Sequence, residues 1–190
     1  MIIGAMHHLA LLFLCSCLLA DSSDQLPSLP SPDQVDIPDN IPFIVPSPDD
    51  LPGVVVDNTQ AAFVGIWQHS IHTPPFVGKG YVHDMKEKKG QKSATFTPHL
   101  PIQGMYEVRL AHNSNIRRAD NVPLTIKHAK GVSWMWINQS DPAPIDKLFR
   151  SLGIFEFKQG DEGSVTISTE GTQGKYVIVD AVQFIPSQQE

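Results

Sequence analysis

The sequence predicts an all-β protein: a single antiparallel β-sandwich domain of jelly-roll type. Three observations predict it. Ser93-Ala94-Thr95-Phe96-Thr97 alternates polar and apolar residues, and after a break at Pro98, Pro101 and Gly104 the alternation resumes with Tyr106, Val108 and Leu110 against Glu107 and Arg109. Beyond residue 53 the chain falls into about nine or ten short apolar or alternating runs, divided by Gly, Pro and Asn clusters at the spacing of a sandwich. No stretch holds a convincing helical period, and no repeat of 20 to 50 residues stands out.

The N-terminal fifty residues stand apart from that pattern. Leu9 to Leu19 is an apolar run too short to span a bilayer and reads as the hydrophobic part of a secretion signal covering residues 1–20, although Met1 to His8 contains no Lys or Arg. The competing reading is a cytoplasmic protein with an apolar tail. Both cysteines, Cys15 and Cys17, lie in this run, so no disulfide can staple the domain. Leu14-Cys15-Ser16-Cys17 resembles a bacterial lipobox, with Cys17 as the acylated residue; cleavage after Ala20 is the alternative.

Residues 21–52 read as a disordered linker. They hold eight prolines and seven aspartates, without Lys or Arg, a composition that cannot bury enough apolar surface to fold. Proline stiffens such a chain toward an extended spacer. Phe43-Ile44-Val45 is its one apolar spot, able to dock on the domain or to stay in solvent. The linker carries seven negative charges, and the remainder carries 14 basic and 13 acidic residues. The domain proper, residues 53–190, is therefore nearly neutral, which gives no electrostatic case for nucleic-acid binding.

Within the domain, Val54-Val55-Val56 is an opening strand, and Phe63 to Trp67 a second. A loop with His69 and His72 leads to Gly78–Asp84, and Lys86-Glu87-Lys88-Lys89 reads as a solvated hairpin tip. After the central pair come alternating strands at Val122–Lys127 and Val132–Trp136, an ambiguous stretch at Asp141–Arg150 with room for a helical turn, and strands at Leu152–Phe157 and Ser164–Ser168. Tyr176–Ile185 is apolar on both faces and belongs at the centre of a sheet.

An ordered series of landmarks runs through these segments: Val56-Asp57-Asn58, Gly65 with Trp67, Gly80-Tyr81 with His83-Asp84, Phe96-Thr97-Pro98, Leu100-Pro101, Gly104, and Tyr106-Glu107-Val108. It continues through Arg118-Ala119, Asn121-Val122-Pro123, Ile126 with His128, Gly131, Asn138-Gln139, Leu152-Gly153, Phe155 with Phe157, Ser164–Ser168, and Val179–Val182 with Phe184. From Val54 to Pro186 the chain resembles the golvesin and xanthan-lyase carbohydrate-binding-like domain. The resemblance implies a β-sandwich, polysaccharide contact, and an accessory role beside catalytic domains in exported bacterial proteins. One departure is Phe149, where that family pattern leads us to expect Trp; it is either a ligand platform or core.

Sugars are held by stacking on aromatic faces and by hydrogen bonds to their hydroxyls. The candidate ligand-binding residues are Trp67, Tyr81, Asp84, Arg109, Arg117, Asn121 and Phe149, with Gln139 as a further polar partner. Trp134 and Trp136, which share one face of a strand, are further candidate stacking platforms, but are expected in the core, as large aromatics usually are. Arg117-Arg118 beside Asn113, Asn115 and Asn121 makes the most polar loop, set against the alternative of a solvated turn. His69 and His72 have a metal-compatible spacing but lack further ligands in sequence, so no metal or cofactor is expected. Asp57 and Asp180 suit caps or turns better than a calcium site. No nucleophile elbow and no placeable carboxylate pair point to an enzyme. The expectation is an exported non-catalytic module contacting an extracellular or envelope polysaccharide, the alternative being a structural or protein-interaction module of the bacterial cell envelope, with a membrane tie only through a lipid on Cys17.

Overall fold

The computed structural model describes residues 45–187. The signal, Cys17 and the linker as far as residue 44 lie outside the described residues. Twelve strands occur in the described chain: β1 (Val54–Asp57), β2 (Ala62–Val64), β3 (Gln68–Ser70), β4 (Tyr81–His83), β5 (Ser93–Phe96), β6 (Gly104–Ala111), β7 (Val122–His128), β8 (Gly131–Ile137), β9 (Phe149–Phe157), β10 (Ser164–Ser168), β11 (Ile178–Val179) and β12 (Ala181–Pro186). They form a four-stranded sheet in the order β1-β12-β6-β9, a five-stranded sheet β2-β5-β10-β7-β8, and a three-stranded sheet β11-β4-β3. Every strand pairing is antiparallel. The predicted all-β sandwich is the fold observed.

Alternation explains why the two larger sheets face each other. Tyr106, Val108 and Leu110 on β6, with Val182 and Phe184 on β12, turn inward to meet Ala94, Phe96, Leu124, Ile126, Val165 and Ile167 of the five-stranded sheet. Phe157 sits edge-on to both Tyr106 and Phe184, with centroids 6.1 and 5.5 Å apart. Each fully buried side chain of this size contributes roughly 2–3 kcal/mol by leaving water, which suits a domain without a disulfide. A second, smaller cluster lies on the other side of the four-stranded sheet, where Val77, Leu148 and Phe149 cover Ala111 and Ala181.

Several elements differ from expectation for local reasons. Tyr176–Ile185 is not one strand but two, because Asp180 separates β11 from β12 and the two join different sheets. The polar segment Gln68–Ser70, expected as a loop, is β3, paired with β4. Asp141–Leu148 contains no helix; Asp146 and Lys147 take positive φ there. The Lys86–Lys89 run is not a hairpin tip, since β4 and β5 lie in different sheets. Lys89 is instead drawn inward as the ion-pair partner of buried Asp84.

The largest correction concerns Trp134 and Trp136. Both indoles are 70% exposed. Opposite them on β7 are Thr125 and Pro123, whereas the core residues Leu124 and Val122 oppose Met135 and Ile137. The alternation was legible, but its inward phase belongs to Ser133, Met135 and Ile137, on an edge strand with no sheet beyond it.

The fold also takes up the last of the proline-rich stretch. Gly78 donates its N–H to the carbonyl of Pro46 at 2.9 Å, and Gln183 donates to the carbonyl of Pro52 at 2.8 Å. Leu51 packs against the smaller cluster, while Val45 remains exposed. Asp57 accepts from the N–H and hydroxyl of Thr59, and Gln60 accepts from the Asp57 N–H, completing a capping box over the turn Asn58–Gln60.

Candidate functional site: a polar cleft beside the three-stranded sheet

The short sheet β11-β4-β3 positions a cleft of about 300 Å³. Its floor is Tyr81, paired with Ser70 across β3 and β4. Gly80 lets the two strands approach: it holds φ +129°, and a Cβ there would lie 2.8 Å from the Ser70 carbonyl oxygen. The Ser70 hydroxyl then donates to the Tyr81 hydroxyl at 3.2 Å.

One wall is built by the loop ending at Arg118. Its shape is set locally, by Asn115, whose side-chain oxygen accepts from the Arg117 N–H at 3.0 Å and whose carbonyl accepts from the Arg118 N–H at 2.8 Å. A parallel bridge joins Arg118 to Tyr176: the Ala119 N–H donates to the Tyr176 carbonyl at 2.8 Å, and the Tyr176 N–H to the Arg117 carbonyl at 3.0 Å. The Tyr176 ring meets His83 edge-on, with centroids 5.1 Å apart, and lies 4.5 Å from the Lys86 ammonium.

Arg118 links floor and wall. Its guanidinium carbon lies 5.7 Å from the Tyr81 ring centroid and 5.8 Å from that of Tyr176. Its Nη2 donates to the Asn113 side-chain oxygen at 2.8 Å and to the Tyr81 hydroxyl at 3.4 Å. Arg118 is 7% exposed, and its Nε has no partner. Among the described residues neither Arg117 nor Arg118 forms an ion pair, and no Asp or Glu lines the cleft. A buried guanidinium without a carboxylate is an unsettled charge.

Proton affinities follow from this setting. Burial and then the charge of Arg118 push the His83 imidazole below its ordinary value, so it is neutral at pH 7. Burial pushes the Tyr81 phenol up, but hydrogen bonds from Ser70 and Thr73 and the charge of Arg118 outweigh it, leaving the group below its ordinary value. The cleft thus offers a positive wall, two aromatic rings, hydroxyls and a neutral imidazole.

The structure brings Tyr81 and Arg117 of the sequence-derived candidates to this cleft, with Arg118 and Asn115 from the same polar loop. It places the others elsewhere. Asp84 lies fully buried beneath, accepting from the N–H groups of Lys86 at 3.1 Å and Val177 at 3.0 Å and paired with Lys89, so it is scaffold. Phe149 is 3% exposed in the smaller cluster, which answers the choice between platform and core in favour of core. Arg109 is held on the four-stranded sheet by Glu107 at 2.6 Å. Asn121 donates to the Gly171 carbonyl at 2.8 Å. Trp67 packs partly on the main core, tilted against Phe63, and donates its indole N–H to the Val64 carbonyl at 3.1 Å. Gln139 is buried and exchanges two hydrogen bonds with the Ile178 backbone, each 2.8 Å. Thr73 and Tyr176 were missed as site residues; nothing local in their sequence marks them, because the bridge to Arg118 is what brings Tyr176 in. No group of three or more potential metal-ligating His, Cys, Asp or Glu side chains occurs among the described residues.

The fold and cleft define a β-sandwich domain with a polar, positively charged cleft, and comparison with known proteins makes this specific. Residues 54–186 match the golvesin C-terminal domain family, and the chain belongs to that family. It is 38% identical over 145 residues to a xanthan lyase of Bacillus sp. (strain GL1), a match covering 74% of this chain and 15% of that protein. The structure of a Paenibacillus xanthan lyase superposes with a TM-score of 0.66 at 34% identity, over 70% of this chain and 13% of the other. The chain therefore spans only a small part of these relatives. A CBM35 from Paenibacillus barcinonensis shares the fold alone, with a TM-score of 0.52 at 13% identity, over 71% of this chain and all of the other.

Proposed function

We propose that this protein is an exported, non-catalytic module that binds an acidic polysaccharide through the cleft. The observation that carries this reading is Arg118: a buried guanidinium between two tyrosine rings, lacking a carboxylate of its own and facing a cleft with Arg117 at its rim. A sugar carboxylate supplies the missing partner, while the half-buried Tyr176 offers a ring edge and a hydroxyl to the rest of the unit and Tyr81 holds Arg118 from below. The xanthan-lyase relatives support a carbohydrate ligand.

The lining argues against hydrolysis. Glycoside hydrolysis by the usual route needs two carboxyl groups across the bond, and this cleft has none. In the same reading, the N-terminal apolar run is an export signal, cut either before an acylated Cys17 or after Ala20, the proline-rich stretch is the spacer up to the point where Pro46–Pro52 dock on the fold, and the sandwich is the binding domain. A shell of secreted or envelope-held polysaccharide is the partner, without nucleic acid or cofactor.

Titration calorimetry of the full chain with uronate-containing oligosaccharides and their neutral counterparts tests the proposal. Binding of the acidic series, weakened at least tenfold by Arg117→Gln and absent from the neutral series, is the expected result. Equal binding of both series would remove the carboxylate from the argument. Release of reducing or unsaturated ends from the polymer would overturn the non-catalytic reading.

A further inference from the structure

The outer face of the five-stranded sheet has no role in the cleft. Its outward positions follow from the pairing. Trp134 opposes Thr125, which opposes Thr166, which opposes Thr95, which opposes Ala62, so one row crosses all five strands. The Thr95 and Thr166 hydroxyls are joined at 3.0 Å. Beside this row runs a second, from Trp136 and Pro123 across to Ser93 and Val64, and a third, from Val132 and Lys127 to Ser164. Among these outward positions there is no Asp or Glu, and Lys127 is the one charged side chain.

Three properties of the face select an occupant. Trp136 and Trp134 are two positions apart on one strand, so their indoles are set about 7 Å apart along the direction of β8, each 70% exposed. Flat aromatic surfaces in a line fit the apolar faces of successive sugar rings. Between and beside them Thr125, Thr166, Thr95, Ser93 and Ser164 present hydroxyls that can bond sugar hydroxyls, interspersed with the apolar Ala62, Val64, Pro123 and Val132. Lys127 is its one charge, and its end opens into a further cleft of about 250 Å³, where Lys158 is already paired with Glu162 at 2.8 Å.

We infer that the Trp134–Trp136 face is a second polysaccharide-binding surface, which seats an extended, acidic polymer strand along β8. The inference deepens the glycan-binding reading and rests on it for the class of ligand, but uses separate residues. The cleft takes one charged unit or a short stretch; the face takes a length of chain. Stacking supplies the main attraction, and Lys127 favours a polymer bearing carboxylates.

Affinity electrophoresis of the full chain tests this in gels containing carboxymethylcellulose, hydroxyethylcellulose or xanthan, with a polymer-free gel as reference. The variants are Trp134→Ala/Trp136→Ala, Lys127→Gln and Arg117→Gln, each checked for folding by its melting temperature. The double tryptophan variant should lose at least tenfold in affinity for the acidic polymers, yet bind acidic oligosaccharides as the parent does. Lys127→Gln should shrink the difference between the carboxymethyl and hydroxyethyl polymers. In Arg117→Gln, polymer should still quench or blue-shift the tryptophan emission. Unchanged retardation of the double tryptophan variant, with oligosaccharide binding intact, overturns the second surface and leaves the cleft reading standing. Retardation without oligosaccharide binding overturns the cleft and keeps the face. No retardation of the parent in any gel overturns the face. If the double substitution alters only the oligomeric state and not retardation, the face joins copies of this chain and the inference fails.

Discussion

The two large sheets share one core, yet their outer faces have opposite fates. Behind the four-stranded sheet, Val77, Leu148 and Phe149 close over Ala111 and Ala181 and make that side a second small core. Behind the five-stranded sheet nothing among the described residues covers Trp134 and Trp136. Both faces carry aromatic side chains on strands, so composition alone does not separate them. The loops do: Phe76–Lys79 and Asp141–Leu148 are spent on one side only. An aromatic that recruits a covering loop supports the fold, and one left bare on an edge strand is available to a ligand.

Substitutions can break or sharpen that contrast. The largest effect is expected from Phe149→Ala, which should lower stability by about 3–4 kcal/mol in a denaturant titration, as for other buried Phe. A loss under about 1 kcal/mol would mean the covering loop contributes little, by the same scale of core truncations. Next, Lys89→Met should cost about 3 kcal/mol, because it strips the ion-pair partner from buried Asp84 and leaves it only its two backbone N–H groups.

The pH dependence is of similar size. Burial, with the charge of Arg150 adding to it, holds His112 down from 6.5 to about 4. The unfolded chain takes up the proton first, so this contribution is complete above pH 6.5, falls away as pH drops toward 4, and levels off below that. The loss should reach roughly 3 kcal/mol. Buried Asp180, raised above its ordinary value, works in the opposite sense, gaining stability on acidification. The clean measurement is therefore the difference in slope between the parent and His112→Asn, with equal slopes counting against a buried neutral imidazole.

The smallest effect belongs to the bare face. Trp134→Ala should change stability by no more than about 0.5 kcal/mol, since a surface side chain of this kind holds little of the fold together. A large loss on thermal melting would show that the indole is structural and would dissolve the contrast.

Much of this architecture was readable from alternation. β5, β6, β7 and β10 were visible because every second residue is apolar and the other set is polar, which fixes the inward phase. In β8 the same period was visible but its phase was not, because Trp134 and Trp136 are as apolar as Met135 and Ile137 on the opposite face; only the register against Leu124 and Val122 decides. β3 escaped notice because Gln68-His69-Ser70 has no apolar member. In the cleft, Tyr81 and Arg117 were legible from residue type and a polar loop, and Arg118 from its neighbour. Tyr176 was not, since a bridge between segments distant in sequence delivers it. Asp84 and Phe149 have the chemistry of ligand residues, and only burial reveals their structural work.

The pairing of β1 with β12 has a mechanical consequence. Val54 lies opposite Phe184, so the chain enters and leaves the sandwich at neighbouring points, through strands running in opposite directions. A pull applied through residues 53 and 187 would peel this ladder one hydrogen bond at a time, like a zipper. Any other load leaving through residue 53 also passes first into β1, an edge strand whose one partner is β12. The β1–β12 ladder is therefore the first part of the fold to feel tension on the chain, and the sheets behind it are reached only after it opens.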